Sequence, residues 1–131
     1  KAFDKLQEKR REQFEFSTKE DDYIIAIPES PSEIIVEGTS LHHCVGGYAD
    51  SHSVGDTNIV FLRRKNIPFY TIEVGKHGGI RQIHGNNNCW LGLEPNAINF
   101  VAKWLKTKCI SCAKNILLCT ANLYWLTFYY C

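Results

Sequence analysis

The alternation of apolar and polar residues predicts a helix at the start of the chain and a strand after it. Over residues 2–15, Phe3 and Leu6 lie three positions apart among charged residues, which is typical of an amphipathic helix with one solvated face. Tyr23–Ile27 is a short apolar run rich in β-branched residues that stops at Pro28, as a strand does.

A capping pattern predicts where a second helix begins. Ser30, Pro31 and Glu33 supply an N-cap serine, a proline at the first helical position and a glutamate at the third. In this arrangement the serine hydroxyl and the glutamate carboxylate each accept a backbone N–H of the other residue. The helix is expected to run to about Gly38 and to lead the chain into the segment 42–48.

Three apolar runs then predict an antiparallel meander, because short turn-like segments at 65–67 and 76–79 separate them: residues 58–64, 68–75 and 80–85. The polar segment 48–55 before them is expected to form one or two helical turns closed by Gly55.

A two-residue turn between the first two strands fixes a predicted register. It places Glu73 opposite Asn58 on one side and Gln82 on the other, and it places Thr71 opposite His84. These five residues then share one polar face. The other face is predicted to form a core from Ile59, Phe61, Tyr70, Ile72, Val74 and Ile83.

A last helix is predicted to open at Pro95 and to pack on that core, because its apolar residues follow helical spacing: Ile98, Val101, Ala102 and Leu105. The predicted fold class is therefore α+β, an antiparallel three- to four-stranded meander with helices packed on one face and residues 42–48 bordering the other. Residues 1–108 are expected to form this domain, and residues 109–131 an apolar, cysteine-rich C-terminal tail.

Length and charge restrict the function classes only weakly. A chain of 131 residues suits a single domain, and 15 basic against 14 acidic side chains leave a net charge of +1, which gives no overall footprint of a nucleic-acid binder. The chain contains no methionine, so Lys1 is expected to lie within a longer protein. Its first residues lack the apolar block of a secretory signal, which favours a cytoplasmic location.

The cysteines are concentrated at one end of the chain. Four of the six lie within the tail, a distribution that favours reduced thiols of an intracellular protein over a disulfide scaffold. The uninterrupted apolar part of the tail is shorter than the roughly 20 residues that span a bilayer as a helix. A buried tail, an added strand or a surface for a protein partner is expected there instead of a membrane span.

The segment 42–48 carries the densest group of reactive side chains. Cys44 beside His42 and His43 suits an activated nucleophile, whereas the simpler interpretation is a small buried apolar side chain. Zinc ligated by this segment with His84 and Cys89 is a weaker alternative, because these spacings differ from the familiar paired ligands. No metal or other cofactor is therefore predicted.

A series of motifs follows in a specific order: Glu37-Gly38, Leu41–Tyr48, Ile59–Arg63, Pro68–Glu73, Gln82-x-x-Gly85-x-x-Asn88 and a helix containing Trp104. The series runs from about Ile27 to Lys108 and resembles the PcfJ-like protein family. This resemblance implies an association with conjugative plasmids and other mobile genetic elements of bacteria and phages. It supplies a context and no mechanism.

The resemblance also favours a functional site over a merely solvated sheet face. The predicted catalytic residues are His43, Cys44 and Glu73, and the predicted substrate-binding residues are Tyr48, Arg63, Gln82 and Asn88. One hypothesis is an enzyme acting on a nucleotide or nucleic acid, with Glu73 or a histidine as general base. The alternative is a non-catalytic module that binds DNA or a partner protein during conjugation or phage growth.

Overall fold

The computed structural model describes residues 2–42, 44–85 and 95–112, and of Cys44 it describes the backbone only. The helices in these ranges are α1 (Ala2–Phe14), α2 (Pro31–Leu41), α3 (Ala49–Ser53) and α4 (Pro95–Lys108), with a 3₁₀ turn at Cys44–Tyr48. The strands are β1 (Phe16–Ser17), β2 (Tyr23–Ala26), β3 (Thr57–Arg64), β4 (Ile67–Gly75), β5 (Gly79–Gly85) and β6 (Ser111–Cys112).

The six described strands form one mixed sheet in the order of the sequence. Each neighbouring pair is antiparallel except β5 and β6, which are parallel because α4 returns the chain across the sheet before β6 begins. The α+β class and the meander are confirmed, whereas the expected three to four antiparallel strands are too few. The two extra edge strands have two residues each, too short to produce a periodic pattern.

Helices cover both faces of the sheet, so the prediction of helices on one face only is wrong. On the first face α4 buries Phe100, Trp104 and Leu105 against the apolar side chains of β3, β4 and β5. On the second face, α2, the 3₁₀ turn and α3 pack on β3 through a smaller cluster: Ile34, Val45, Ala49, Ile59 and Phe61.

A shift of register in the first hairpin explains this second apolar cluster. The two-residue turn forms as predicted, but the pairing slips by one residue between Leu62 and Arg63. Glu73 therefore lies opposite Ile59 instead of Asn58, whereas its pairing with Gln82 is confirmed. Because side chains alternate along a strand, the one-residue bulge turns Ile59 and Phe61 toward the face that carries Glu73.

The start of α2 lies where it was predicted, but the predicted capping contacts do not form. Glu33 accepts the backbone N–H of Glu29 at 2.9 Å, and the hydroxyl of Ser30 shares a hydrogen bond with Ser32. The helix continues past Gly38 to Leu41, and His42 ends it in the left-handed conformation with φ 53°.

Gly85 at the end of β5 is required by packing. It lies opposite Tyr70 in the sheet, and a Cβ atom at this position would lie 2.8 Å from the Tyr70 ring. The ring needs the space that a side chain would occupy, so this glycine has a steric role although its backbone is ordinary β-strand.

The described part of the chain contains no helix with the length and apolarity needed to cross a bilayer. The Cys112 thiol on β6 is buried, and burial raises its pKa to about 12. Cys109 is disulfide-bonded, so the expectation of reduced thiols is wrong for this residue.

Candidate functional site

Polar side chains collect on the second face of the sheet, beside the small apolar cluster and beneath α2 and the 3₁₀ turn. We call this set the polar face. It consists of Glu37 and Tyr48 from the covering elements and Thr57, Arg63, Thr71, Glu73, Gln82 and His84 from the sheet.

Glu73 is the carboxylate that the sheet contributes to the polar face, and only 5% of the residue is exposed. Its Oε2 accepts the Thr57 hydroxyl at 2.6 Å, and its Oε1 accepts the Gln82 amide at 2.9 Å. A second bulge sets both Arg81 and Gln82 against Glu73, and the Arg81 Nε lies 3.9 Å from Oε2. Both carboxylate oxygens are therefore engaged.

Gln82 joins the sheet to the 3₁₀ turn. Its Nε2 donates to Glu73 Oε1 and, at 3.0 Å, to the hydroxyl oxygen of Tyr48. Both Gln82 and Tyr48 are half-buried. The segment 42–48, which was predicted to border this face of the sheet, is thus connected to the sheet by a hydrogen bond.

Glu37 and Arg63 form the second polar contact across this layer. Arg63 Nη1 donates to Glu37 Oε1 at 2.6 Å, with 18% of the Arg63 side chain and 2% of the Glu37 side chain exposed. The other Glu37 oxygen, Oε2, is buried without a hydrogen-bond partner. Burial raises the pKa of Glu37, and the nearby Arg63 opposes this rise.

The guanidinium group of Arg63 also lies over the Phe61 ring, 4.4 Å from its centre. An arginine held between a carboxylate and an aromatic face keeps one orientation, because both contacts restrict its rotamers. Its orientation is therefore determined before any ligand arrives.

His84 lies opposite Thr71 on the same face and is half-buried. Burial lowers the pKa of His84 below its ordinary value of 6.5. The imidazole is consequently neutral at neutral pH, the form in which it can accept a proton.

The predicted site residues fall into three groups. Tyr48, Glu73 and Gln82 are brought together, and Arg63 occupies the neighbouring part of the polar face with Glu37. His43 and Asn88 lie outside the described residues, and so does the side chain of Cys44. The nucleophile hypothesis for Cys44 stays a prediction.

Sequence reasoning missed Glu37 as a site residue, although a signal was present. Ile34, Glu37 and Leu41 recur at spacings of three and four and share the buried stripe of α2. A carboxylate at an apolar position of a helix indicates a buried partner, and here that partner is Arg63.

A second buried network, which we call the Arg10 cluster, comprises Arg10, His52, Thr57 and Asn58. The first helix was predicted to have one solvated face with charged residues over most of its surface, yet Arg10 is fully buried. Its guanidinium donates to the backbone oxygens of His52 at 2.7 Å and Thr57 at 2.9 Å and to Asn58 Oδ1 at 2.8 Å. The cluster therefore fixes the start of β3, where the Thr57 hydroxyl reaches Glu73.

His52 has a donor at each ring nitrogen. The Ile59 N–H donates to Nδ1 at 2.9 Å, and Arg10 Nη1 lies 3.0 Å from Nε2. Neutral His52 carries one ring proton, and a second proton on Nδ1 would displace the hydrogen bond from the Ile59 N–H. Burial together with the charge of Arg10 lowers the pKa of His52 to about 3.

A groove of about 720 Å³ lies beside α4, away from the polar face. Its charged lining consists of Glu20, Asp21, Asp22, Arg64, Lys103 and Lys106, three acidic and three basic residues. The charged lining is mixed in sign and therefore indicates no particular class of ligand for this groove.

Within the ranges 2–42, 44–85 and 95–112, no three histidine, cysteine, aspartate or glutamate side chains are grouped so as to hold a metal ion. The weaker zinc hypothesis includes His43 and Cys89, which lie outside those ranges.

Comparison with known proteins supplies the family. An uncharacterised protein of Listeria innocua serovar 6a, Lin1253/Lin1744, is 40% identical over 74 residues, which cover 53% of this chain and 16% of that protein. No solved structure matches the chain. The family described as PcfJ-like protein matches residues 2–91, which begins before the resemblance noted from the motifs and ends before α4. The chain therefore belongs to the PcfJ-like protein family.

Proposed function

We propose that this PcfJ-like domain serves a bacterial or phage mobile genetic element by binding a nucleotide or nucleic acid, with the polar face as the binding surface. The observation that carries this proposal is the oriented arginine. Arg63 is held by Glu37 at 2.6 Å and by the Phe61 ring at 4.4 Å.

The geometry of Arg63 suits a phosphate group. A guanidinium group has five N–H donors, and within the described residues the hydrogen bond to Glu37 employs Nη1. The remaining donors form a planar fork that matches two phosphate oxygens, and such charge-assisted pairs are stronger than neutral hydrogen bonds.

Binding is favoured over general-base catalysis by Glu73. A general base must lie within hydrogen-bonding distance of the substrate proton, whereas Thr57 and Gln82 already occupy both oxygens of the enclosed Glu73 carboxylate. Glu73 is better suited to hold its neighbours in position.

The binding proposal can be tested with a pair of adjacent arginines. We expect Arg63→Met to weaken the binding of a fluorescently labelled single-stranded oligonucleotide or of ATP by about tenfold or more, the loss of roughly one charge-assisted contact. Arg64→Met is the matched control, because Arg64 lies over Phe69 and lines the groove on the other side. Fluorescence anisotropy and calorimetry measure the two affinities.

The interpretation of this experiment depends on a folded variant. Arg63→Met leaves Glu37 as a buried uncompensated charge, so a double variant with Glu37→Met removes both charges at similar volume and is expected to fold. Binding that is equally strong in this folded double variant would contradict the proposal. Failure of the unaltered domain to bind either probe would also contradict it.

A second candidate function is an enzyme acting on the bound nucleotide, and the observation that favours it is the neutral, half-buried His84. A histidine as general base would contribute about 10²–10⁴-fold to the rate. His84→Asn should therefore lower the turnover of a bound nucleotide by about that factor while binding persists. Chromatography of the products measures the turnover. If the unaltered domain leaves every bound nucleotide unchanged, this candidate is excluded.

A further inference from the structure

We propose that Glu73 is a positioning residue that fixes the Gln82 amide, so that Gln82 Oε1 and the Tyr48 hydroxyl proton form an acceptor and a donor for the edge of a nucleobase. This inference rests on the proposed function and identifies the part of the ligand that lies beside Gln82.

The orientation of the Gln82 amide follows from the chemistry of its neighbour. A carboxylate offers acceptors only, so Glu73 Oε1 at 2.9 Å requires the NH₂ group of Gln82 and excludes its oxygen. The second amide hydrogen is directed to Tyr48, whose oxygen lies 3.0 Å away. With both hydrogens engaged, Oε1 is the hydrogen-bonding atom of Gln82 that is left for a ligand.

Tyr48 is left with the opposite capacity. Its oxygen accepts from Gln82, so the proton of the phenol is not used in that bond and can be donated elsewhere. Glu73 itself is held by Thr57 at 2.6 Å. The series of hydrogen bonds that orients these groups therefore begins at the buried Thr57 and ends at the half-buried Gln82 and Tyr48. One acceptor and one donor are thus presented together.

This pair discriminates between ligand groups. A phosphate oxygen would be repelled by the Gln82 oxygen, because both are acceptors. Each nucleobase, in contrast, carries donors and acceptors next to each other along its edges. The Arg63 part of the polar face suits the phosphate, and the Thr71 side chain contacts Glu37, the partner of Arg63. Thr71 and Glu73 are two residues, or roughly 7 Å, apart along β4.

The test compares ligands with and without a base. Calorimetric titration would use the four common nucleoside 5′-monophosphates as probes and ribose 5-phosphate as the base-free reference. We expect the nucleotides to bind about tenfold or more tightly than ribose 5-phosphate, and we expect Tyr48→Phe and Gln82→Met to remove most of this difference. Neither variant should weaken the binding of ribose 5-phosphate.

Glu73→Gln tests the positioning role. The amide at position 73 no longer dictates the orientation of Gln82, so the ratio of nucleotide to ribose 5-phosphate affinity should fall, while the affinity for ribose 5-phosphate is retained. A purely structural role would instead weaken all probes together. Glu8→Gln, an exposed site on α1, is the matched control and should leave the ratio unchanged.

The outcomes separate the two proposals. If ribose 5-phosphate binds as tightly as the nucleotides, base recognition is refuted and phosphate binding at Arg63 survives. If Tyr48→Phe and Gln82→Met fold, as judged by their urea midpoints, and keep the full ratio, the assignment to these two residues is wrong. If no probe binds the unaltered domain, both this inference and the proposed function fail.

Discussion

The Arg10 cluster and the polar face are two buried polar networks that meet at Thr57, yet they differ in completeness. In the Arg10 cluster, the guanidinium contacts two backbone oxygens, an amide oxygen and an imidazole, and it is fully buried. On the polar face, Glu37 keeps an unpartnered oxygen, and Gln82 and Tyr48 are half-buried.

This difference separates a purely structural network, the Arg10 cluster, which we call the brace, from a candidate ligand-binding site, the polar face. Buried polar groups are costly unless they are satisfied, so a closed network holds elements together and has nothing to offer a ligand. An incomplete network on a partly exposed surface keeps hydrogen-bonding capacity that a ligand can use. The following predictions, from the largest expected effect to the smallest, test this contrast.

The largest effect is expected at the brace. Arg10→Met removes the donor of several buried acceptors, and each acceptor left unsatisfied costs about 1–3 kcal/mol, so we expect a total loss of about 3–5 kcal/mol of unfolding free energy. Urea denaturation measures it. Arg11→Met is the control, because Arg11 makes an exposed ion pair with Glu29 that should contribute less than about 1 kcal/mol. Equal effects at both positions would contradict the assignment of Arg10 as a brace.

The next effect is expected at Arg63, where stability and pH are linked. Arg63→Met leaves Glu37 without its cation, and we expect a loss of about 2–3 kcal/mol at neutral pH, less than for a fully buried pair because Arg63 is partly exposed. The pKa of Glu37 is already raised by burial and should rise further in the variant. A raised acid pKa destabilises the fold as pH increases, so the loss should be larger at about pH 8 than at about pH 5. A loss that is independent of pH would exclude Glu37 as the cause.

A third prediction concerns acid. The pKa of His52 lies at about 3 instead of 6.5, so between these values the unfolded chain binds a proton that the folded chain does not. The contribution of His52 to stability is therefore complete above about pH 6.5 and is lost as the pH falls, by up to about 1.4 kcal/mol per pH unit. His52→Gln should flatten this slope in urea titrations between about pH 6.5 and pH 4. An unchanged slope would show that the folded state protonates His52.

The smallest effect on stability is expected at Tyr48. Tyr48→Phe removes a half-buried hydroxyl group, and we expect a change within about 0.5 kcal/mol in the urea experiment. This change in unfolding free energy tests the contrast between the two networks, because a residue of a binding site should affect ligand binding more than folding. A loss comparable with that of Arg10→Met would make Tyr48 part of the brace.

Local patterns predicted the elements well and their assembly less well. The turn at Lys65 and Asn66, the pairing of Glu73 with Gln82 and the start of α2 were all readable, because each depends on neighbouring residues. The bulge beyond Arg63 was not readable, since the same turn can be followed by a regular ladder. The one extra residue at this bulge decides whether Ile59 faces Glu73. It therefore also decides whether α2 has an apolar surface to cover.

The candidate site was predictable to a similar extent. Tyr48, Glu73 and Gln82 were identified from their motifs, whereas Glu37 was overlooked although it occupies the apolar stripe of its helix. Arg10 was overlooked in the same way, because Gln7, Arg10 and Phe14 recur at spacings of three and four and share the buried side of α1. The acceptors of Arg10 lie at the start of β3.

Gly85 has a consequence for how variation in this family should be interpreted. Gln82 and Gly85 belong to one short motif, yet the glycine makes room for the Tyr70 ring and the glutamine faces Tyr48. A saturation library scored first for cellular abundance and then for biological activity should separate the two positions. Substitutions of Gly85 should disappear at the first selection, and those of Gln82 should survive it and disappear only at the second.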